Sequence, residues 1–136
     1  MAATLKLEIV TPEEKTFSED VEFVQLPALQ GEMGVYPNHV PLLTQIVPGE
    51  LKVLKDGQEL LLAVGEGFVE VTGRSVSVLT DMAVKEADID EQAVEAAVKR
   101  AEAAMAEKLS AEDNAAVQAA LLKSLAQLKV KRKRRP

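Results

Sequence analysis

Residues 51–64 read LKVLKDGQELLLAV, so two apolar runs flank the turn sequence KDGQ at 55–58. The pair Asp56-Gly57 favours a type I′ turn, because both central residues of that turn need positive φ. The stretch therefore predicts a β-hairpin, and it predicts that the surrounding chain forms a sheet.

Short strands are predicted on both sides of this hairpin. Apolar and polar residues alternate at 5–9, along a second run at 21–26, and at 69–78 across a turn at Gly73-Arg74. A period of two is the signature of half-buried strands. Several short strands separated by turn residues are typical of an all-β sandwich or barrel, and we predict a β-sandwich.

The second half of the chain has a different composition. All seven glycines lie at or before Gly73, and residues 74–135 contain neither glycine nor proline. Thirteen alanines fall between 93 and 126. Glycine and proline interrupt helices and alanine favours them, so this half is predicted to be helical. We place a β-sandwich domain at 1–85 and a helical domain at 86–136.

Two helices are predicted in the second half. Asp88 or Asp90 can cap the first, and Ser110, with Asp113 three residues on, matches a capping box for the second. Apolar residues recur with helical spacing at Val94, Ala97, Val98, Ala101, Met105 and Leu109, and again at Val117, Leu121, Leu125 and Leu128. Because many of these side chains are small, we expect an αα-hairpin that packs weakly on its neighbours and can move.

Charge is distributed unevenly. The formal net charge is −6, but six of the 16 basic residues lie in the last eight positions, so residues 1–128 carry ten basic and 22 acidic residues, a balance of −12. An acidic body repels nucleic acid, and we predict no nucleic-acid partner. The basic tail 129–136 has three interpretations: a solvated helix end, a contact for an acidic protein surface, or a nucleic-acid or lipid contact.

Residue chemistry gives no indication of an enzyme. The chain has no cysteine and a single histidine, His39, so a zinc site or a nucleophilic triad lacks its usual residues. Gly65-Glu66-Gly67 is too short for a phosphate-binding loop. We predict no catalytic residues, no metal and no cofactor. Two alternatives stay open: a free-standing β-sandwich binding module with a basic tail, and a small hydrolase built on carboxylates.

Three segments, in this order, carry a family resemblance. Residues 31–43 read GEMGVYPNHVPLL, residues 65–71 read GEGFVEV and residues 89–91 read IDE. The chain closely resembles the epsilon subunit of bacterial-type rotary (F-type) ATP synthases, in order and over essentially its whole length. The resemblance implies a β-sandwich of about ten strands followed by an antiparallel two-helix hairpin. It also implies a non-catalytic subunit of the central stalk, which helps couple ion translocation through the c-ring to ATP synthesis.

The resemblance implies partners for the proline-containing loop. In this family the sandwich binds the gamma subunit and the c-ring, so Glu32, Met33, Tyr36 and His39 are the expected contact residues. Glu32 is assigned to the c-ring and His39 to gamma. The family also implies a peripheral location on the cytoplasmic side of the bacterial inner membrane. No stretch approaches the roughly 20 apolar residues of a membrane helix, so we expect no direct insertion.

The helical hairpin of the family inhibits ATP hydrolysis when it extends into the catalytic alpha/beta head. The resemblance makes Lys99, Arg100, Lys108 and Lys123 the expected contacts with the beta subunit. An exposed helix would carry the same residues without that role.

One motif departs from the family pattern. Epsilon subunits that bind ATP carry Ile/Leu-Asp-x-x-Arg-Ala at the start of the first helix. Ile89 and Asp90 match it, but Ala93 stands at the arginine position. A guanidinium is the group best suited to nucleotide phosphate, so we expect weak or no ATP binding.

Overall fold

A computed structural model describes residues 3–107 and 109–133. Ten strands come first, followed by a short 3₁₀ helix (Glu86–Asp88) and two α-helices, α1 (Glu91–Met105) and α2 (Ala111–Lys133). The strands are β1 (Leu5–Val10), β2 (Lys15–Val21), β3 (Phe23–Ala28), β4 (Gly31–Val35), β5 (Leu42–Ile46), β6 (Gly49–Lys55), β7 (Gln58–Val64), β8 (Gly67–Val71), β9 (Ser75–Thr80) and β10 (Ala83–Lys85). The predicted fold class, about ten strands followed by a helical hairpin, is confirmed.

The strands form two packed layers. The first sheet has the order β10-β7-β6-β3-β4 and the second the order β5-β8-β9-β1-β2. They are joined where Ala28 of β3 pairs with Ile46 of β5. All pairs are antiparallel except β1 with β9. The architecture is therefore a sandwich whose two sheets share one corner.

The main core lies between the two sheets. Alternate residues of each strand point inward, as a strand period of two requires. Leu7 and Ile9 from β1, Val24 and Leu26 from β3, and Val69 from β8 are fully buried there. The inward alternation predicted for 5–9 and 69–78 is confirmed.

The hairpin predicted at 51–64 is also confirmed. β6 and β7 pair from Gly49 opposite Val64 to Lys55 opposite Gln58. Asp56 and Gly57 have φ values of 52° and 75°, the conformation that a type I′ turn needs.

The single strand predicted at 21–26 is wrong. β2 ends at Val21 and β3 begins at Phe23, and Glu22 lies between them. β2 belongs to the second sheet and β3 to the first, so the chain turns a corner at Glu22. The buried position shifts across the corner, from Val21 to Val24 and Leu26, so the adjacent apolar pair Phe23-Val24 is the sequence feature that a single alternating strand does not fit.

Both helices begin at the predicted caps. Asp90 Oδ1 accepts a hydrogen bond from the Ala93 amide at 3.1 Å, whereas Asp88 belongs to the 3₁₀ helix. Ser110 Oγ accepts from the Asp113 amide at 3.1 Å. These side chains satisfy amides that the first turn of a helix leaves without a backbone partner.

The helical hairpin covers the outer face of β6 and β7. Leu61 and Ala63, which point away from the main core, pack with Leu128, Val130 and other residues in a second apolar cluster, completed by Ile89 and Val94. The single apolar stripe predicted for α2 is wrong at Leu125, which is 43% exposed. α2 packs on both α1 and the sheet, so its buried residues do not follow one line.

Gly67 offers a test of the close approach of β8 and β9 at the end of their pairing, where Gly67 lies opposite Thr80. A methyl group there would overlap the carbonyl oxygen of Leu79, a backbone atom that cannot move aside alone. We expect Gly67→Ala to lower the free energy of unfolding by about 2–3 kcal/mol, measured by urea denaturation. Gly73→Ala is the matched control, because its methyl group would make only an ordinary van der Waals contact, 3.9 Å from Asn38 Cα, and change stability by about 0.5 kcal/mol or less. Equal losses in the two variants would contradict this account.

Candidate functional site

The edge strand β4 carries the first two residues expected to contact a partner. Glu32 is exposed, and its carboxylate accepts a hydrogen bond from Gln25 Nε2 at 2.5 Å. Met33 is half-buried and packs against the main core. These neighbours therefore point to opposite sides of the sheet, and Glu32 is the accessible one.

Tyr36 lies just beyond β4, on the same face as Glu32. Its ring contacts Phe23, with ring centroids 4.5 Å apart and an interplanar angle of 41°. A Cβ atom on Gly34 would lie 2.9 Å from the Phe23 ring, so the missing side chain at Gly34 makes room for this aromatic pair. Phe23 and Gln25 alternate along β3, which is why their partners Tyr36 and Glu32 share a face.

His39 lies in the loop between β4 and β5. Its Nδ1 donates to the carbonyl oxygen of Val40 at 2.7 Å. The preceding residue, Asn38, has a φ of 70° and donates its amide to the Gly73 carbonyl at 2.8 Å. A backbone hydrogen bond to the β8–β9 turn therefore anchors the loop that carries His39.

An exposed apolar surface on the second sheet was missed in the sequence. Phe68 is 54% exposed and lies opposite Leu79, which is 58% exposed and in turn pairs with Val10. Leu43 of β5 lies on the same face and is 69% exposed. We call these four residues the outer apolar strip. The sequence does contain an indication of this strip, because Phe68 and Leu79 occupy the outward positions of their strands, where a solvated face would carry polar residues.

The cations assigned to the hairpin have different surroundings. Lys99 and Arg100 are exposed on α1 and form no ion pair within the described part of the chain. Lys123 on α2 pairs with Asp81 at 2.8 Å, at the β9–β10 turn. Lys108 lies outside the described residues.

The basic end of α2 contacts the protein's own body, which none of the three interpretations of the tail included. Lys131 donates to the Glu86 carbonyl at 3.3 Å. Arg132 pairs with Glu95 of α1 at 2.5 Å. Lys133 pairs with Glu50 of β6 at 2.6 Å, and the tail residues beyond it, 134–136, lie outside the described residues.

Glu50 is the most buried of the acidic residues in these pairs. It is on the outer face of β6, opposite Ala63, and α2 covers it. Its hydrogen bond with Lys133 raises the pKa of the Lys133 ammonium, and the carboxylates of Glu59 and Glu32 act in the same direction. The last described turn of α2 therefore ends in a strongly acidic environment.

The residues of the nucleotide-binding pattern have structural roles here. Ile89 is buried in the second apolar cluster, and Asp90 uses its carboxylate to cap α1. Ala93 is exposed and presents only a methyl group. Weak or absent ATP binding stays a prediction.

Residues 3–107 and 109–133 contain neither a cluster of metal-ligating side chains nor a helix able to cross a membrane. No three side chains of the metal-ligating types come together among them. Neither α1 nor α2 has the length and apolar composition to cross a membrane, and no other described segment is a long helix.

The cap of α1 can be tested directly. Asp90→Ala removes the acceptor for the Ala93 amide, and we expect it to destabilise α1 by about 1 kcal/mol, measured by hydrogen exchange of the α1 amides. Asp88→Ala removes the same charge two residues earlier, where no helix cap exists, and we expect a change of about 0.5 kcal/mol or less. Equal effects would mean that charge near the helix N-terminus, not the hydrogen bond, stabilises α1.

Comparison with known proteins gives the family. Residues 4–86 match the family described as ATP synthase, Delta/Epsilon chain, beta-sandwich domain. The ATP synthase epsilon chain of Laribacter hongkongensis is 43% identical over 129 residues, covering 93% of this chain and 92% of that protein. The epsilon chains of Bordetella avium and Dehalococcoides mccartyi are 41% and 44% identical, each over 98% of this chain and 96% of its own length.

Two solved structures share the fold. A chain of the Euglena gracilis mitochondrial ATP synthase, determined by cryo-EM with OSCP, F1 and the c-ring, gives a TM-score of 0.77 at 24% identity and covers 93% of this chain and 80% of its own. A chain from the central stalk and c-ring of the Tetrahymena thermophila mitochondrial ATP synthase gives 0.59 at 12% identity, covering 96% and 98%. Together with the family match and the full-length relatives, these findings mean that the chain belongs to the epsilon chains of ATP synthase, which are non-catalytic subunits of that enzyme.

Proposed function

We propose that this chain is a central-stalk subunit that binds gamma and the c-ring, helps couple ion translocation to ATP synthesis, and inhibits ATP hydrolysis through its helical hairpin. The observation that carries the proposal is the difference between the two outer faces of the sandwich. The hairpin covers the first sheet at β6 and β7, whereas the second sheet carries the uncovered outer apolar strip.

The outer apolar strip is the proposed contact with gamma. Exposed apolar residues that adjoin one another mark protein interfaces, and Glu70 and Gln45 give the strip polar neighbours. Burying a side chain such as Phe68 or Leu79 contributes roughly 1.5–3 kcal/mol. Side chains of this kind, placed at the centre of the strip, are the expected source of binding free energy for such a partner.

The edge of β4 is the proposed contact with the c-ring. Glu32 presents a carboxylate there, Tyr36 adds an exposed ring on the same face, and His39 lies in the adjoining loop toward gamma. Asn38 is hydrogen-bonded to Gly73 and Tyr36 contacts Phe23, so the loop is tied to the sandwich at two points. A firmly held contact suits torque transmission, because a loose one would absorb rotation as local motion.

The hairpin is the proposed inhibitory element. Lys99 and Arg100 are already exposed, whereas Lys123 is paired with Asp81 in the docked arrangement. Undocking would free Lys123 and the basic end of α2 for an acidic surface of the catalytic head. The docked arrangement is therefore the non-inhibiting one.

The same proposal gives the location of the subunit, which is peripheral on the cytoplasmic side of a bacterial inner membrane.

The gamma contact can be tested by one substitution. Leu79→Ser removes apolar surface from the centre of the outer apolar strip, and we expect the Kd for a gamma-containing catalytic head without c-ring to rise about 10- to 100-fold. The measurement is a binding titration of the purified chain with that head.

Leu122→Ser is the matched control for this titration. Leu122 is 44% exposed, but it lies on α2, which packs on the first sheet and not on the outer apolar strip. We expect its Kd to stay within about twofold of the wild type. Wild-type Kd in Leu79→Ser would overturn the gamma assignment, and failure of the unmodified chain to bind the head would favour a free-standing binding module.

The inhibitory role and the division at 85/86 can be tested together. We expect a chain without residues 88–136 to stay folded and to bind gamma, and we expect ATP hydrolysis by the assembled head to rise by about fivefold or more. The measurement is hydrolysis by heads reconstituted with the full or the shortened chain. An unfolded product would contradict the domain division, and a folded, bound product without faster hydrolysis would contradict the inhibitory role.

A further inference from the structure

We propose that the Lys133–Glu50 pair is a latch on the hairpin: α2 stays docked on the sandwich only while Lys133 neutralises the covered carboxylate of Glu50. The inference rests on the proposed function only for its consequence in the synthase. The latch itself is a property of the chain alone.

The latch depends on where Glu50 lies. Its side chain is 7% exposed because α2 covers the outer face of β6. Leu61 and Ala63 on the neighbouring strand are also buried beneath the hairpin, so Glu50 is a carboxylate at the margin of an apolar contact. A charge placed there loses hydration and needs a cation close by.

Lys133 supplies that cation from the last described residue of α2. Its Nζ donates to Glu50 Oε1 at 2.6 Å, and 83 residues separate the two along the chain. In the undocked state both groups are hydrated and neither needs the other. A docked state in which Lys133 is bound elsewhere would leave Glu50 covered without a cation, and it is therefore unfavourable.

The other ion pairs of α2 are either more exposed to solvent or do not reach the sandwich. The Lys123–Asp81 pair has side chains that are 33% and 44% exposed, so water and salt weaken it. Arg132 pairs with Glu95 of α1, so it joins the two helices to each other and does not attach them to the sandwich. Of the ion pairs between the hairpin and the strands, the one with Glu50 is the most buried.

The latch also provides a way to release the hairpin, through competition for Lys133. A carboxylate-rich surface that takes Lys133 in place of Glu50 leaves Glu50 covered and unneutralised, and undocking then becomes favourable because it rehydrates the carboxylate. Partner binding at the end of α2 and undocking of the hairpin are thereby coupled.

Hydrogen exchange on the full-length chain tests the latch. The amides of α2 at residues 121–133 report how often the hairpin opens. We expect Lys133→Met to accelerate their exchange about 10- to 100-fold. Lys129→Met is the matched control: Lys129 is exposed on the same helix and has no ion pair to a described residue, so we expect less than about a twofold change. The amides of β1 and β9 should stay protected in every variant.

A second pair of variants separates the latch from a general effect on the helix end. We expect Glu50→Gln to keep the hairpin docked, because a neutral amide needs no cation, and we expect Lys133→Met to have little further effect in that background. The latch is overturned if Lys133→Met leaves α2 as protected as in the wild type. It is also overturned if Lys129→Met matches Lys133→Met, or if Lys133→Met has its full effect beside Glu50→Gln. Loss of gamma binding in the Leu79→Ser titration would not bear on any of these outcomes.

Discussion

The apolar outer face of β7 is the constraint on which the rest of the molecule depends. Leu62 and Val64 point into the main core, while Leu61 and Ala63 point the other way and are equally buried. A strand that is apolar on both sides needs a cover on each, and a two-layer sandwich supplies only one. The helical hairpin is the second cover, so its docking completes the first sheet.

The two sheets consequently present different surfaces. Docking uses the outer face of the first sheet, and the second sheet keeps Phe68 and Leu79 exposed on its own. A partner that covers the outer apolar strip therefore does not compete with the hairpin for space on the same face. Under the proposed function, attachment to the rotor and movement of the hairpin are separate events on one small subunit.

Local features were predictable from the sequence, and features that depend on distant pairing were not. Short-range patterns can be recognised in the sequence because they involve only neighbouring residues. Examples are the Asp56-Gly57 turn, the Asp90 cap and the change in composition after Gly73. The corner at Glu22 is harder to predict, because apolar residues stand on both sides of it and only the shift of the buried positions from Val21 to Val24 marks the break. The Glu50–Lys133 pair joins residues 83 apart, and only the docked fold shows that Glu50 is covered.

The loop around His39 and the docked hairpin are held by different kinds of interaction, which suit a rigid contact and a reversible one. The loop around His39 is held by a backbone hydrogen bond from Asn38 to Gly73 and by the contact of Tyr36 with Phe23, neither of which a competing anion displaces. The hairpin adds ion pairs to a modest apolar contact, and another acidic surface can replace the partner of a cation. Proteins exchange two arrangements readily when their free energies differ by only a few kcal/mol. Holding the hairpin through Lys133 keeps that difference small and makes it responsive to charge, while the rotor contact stays rigid.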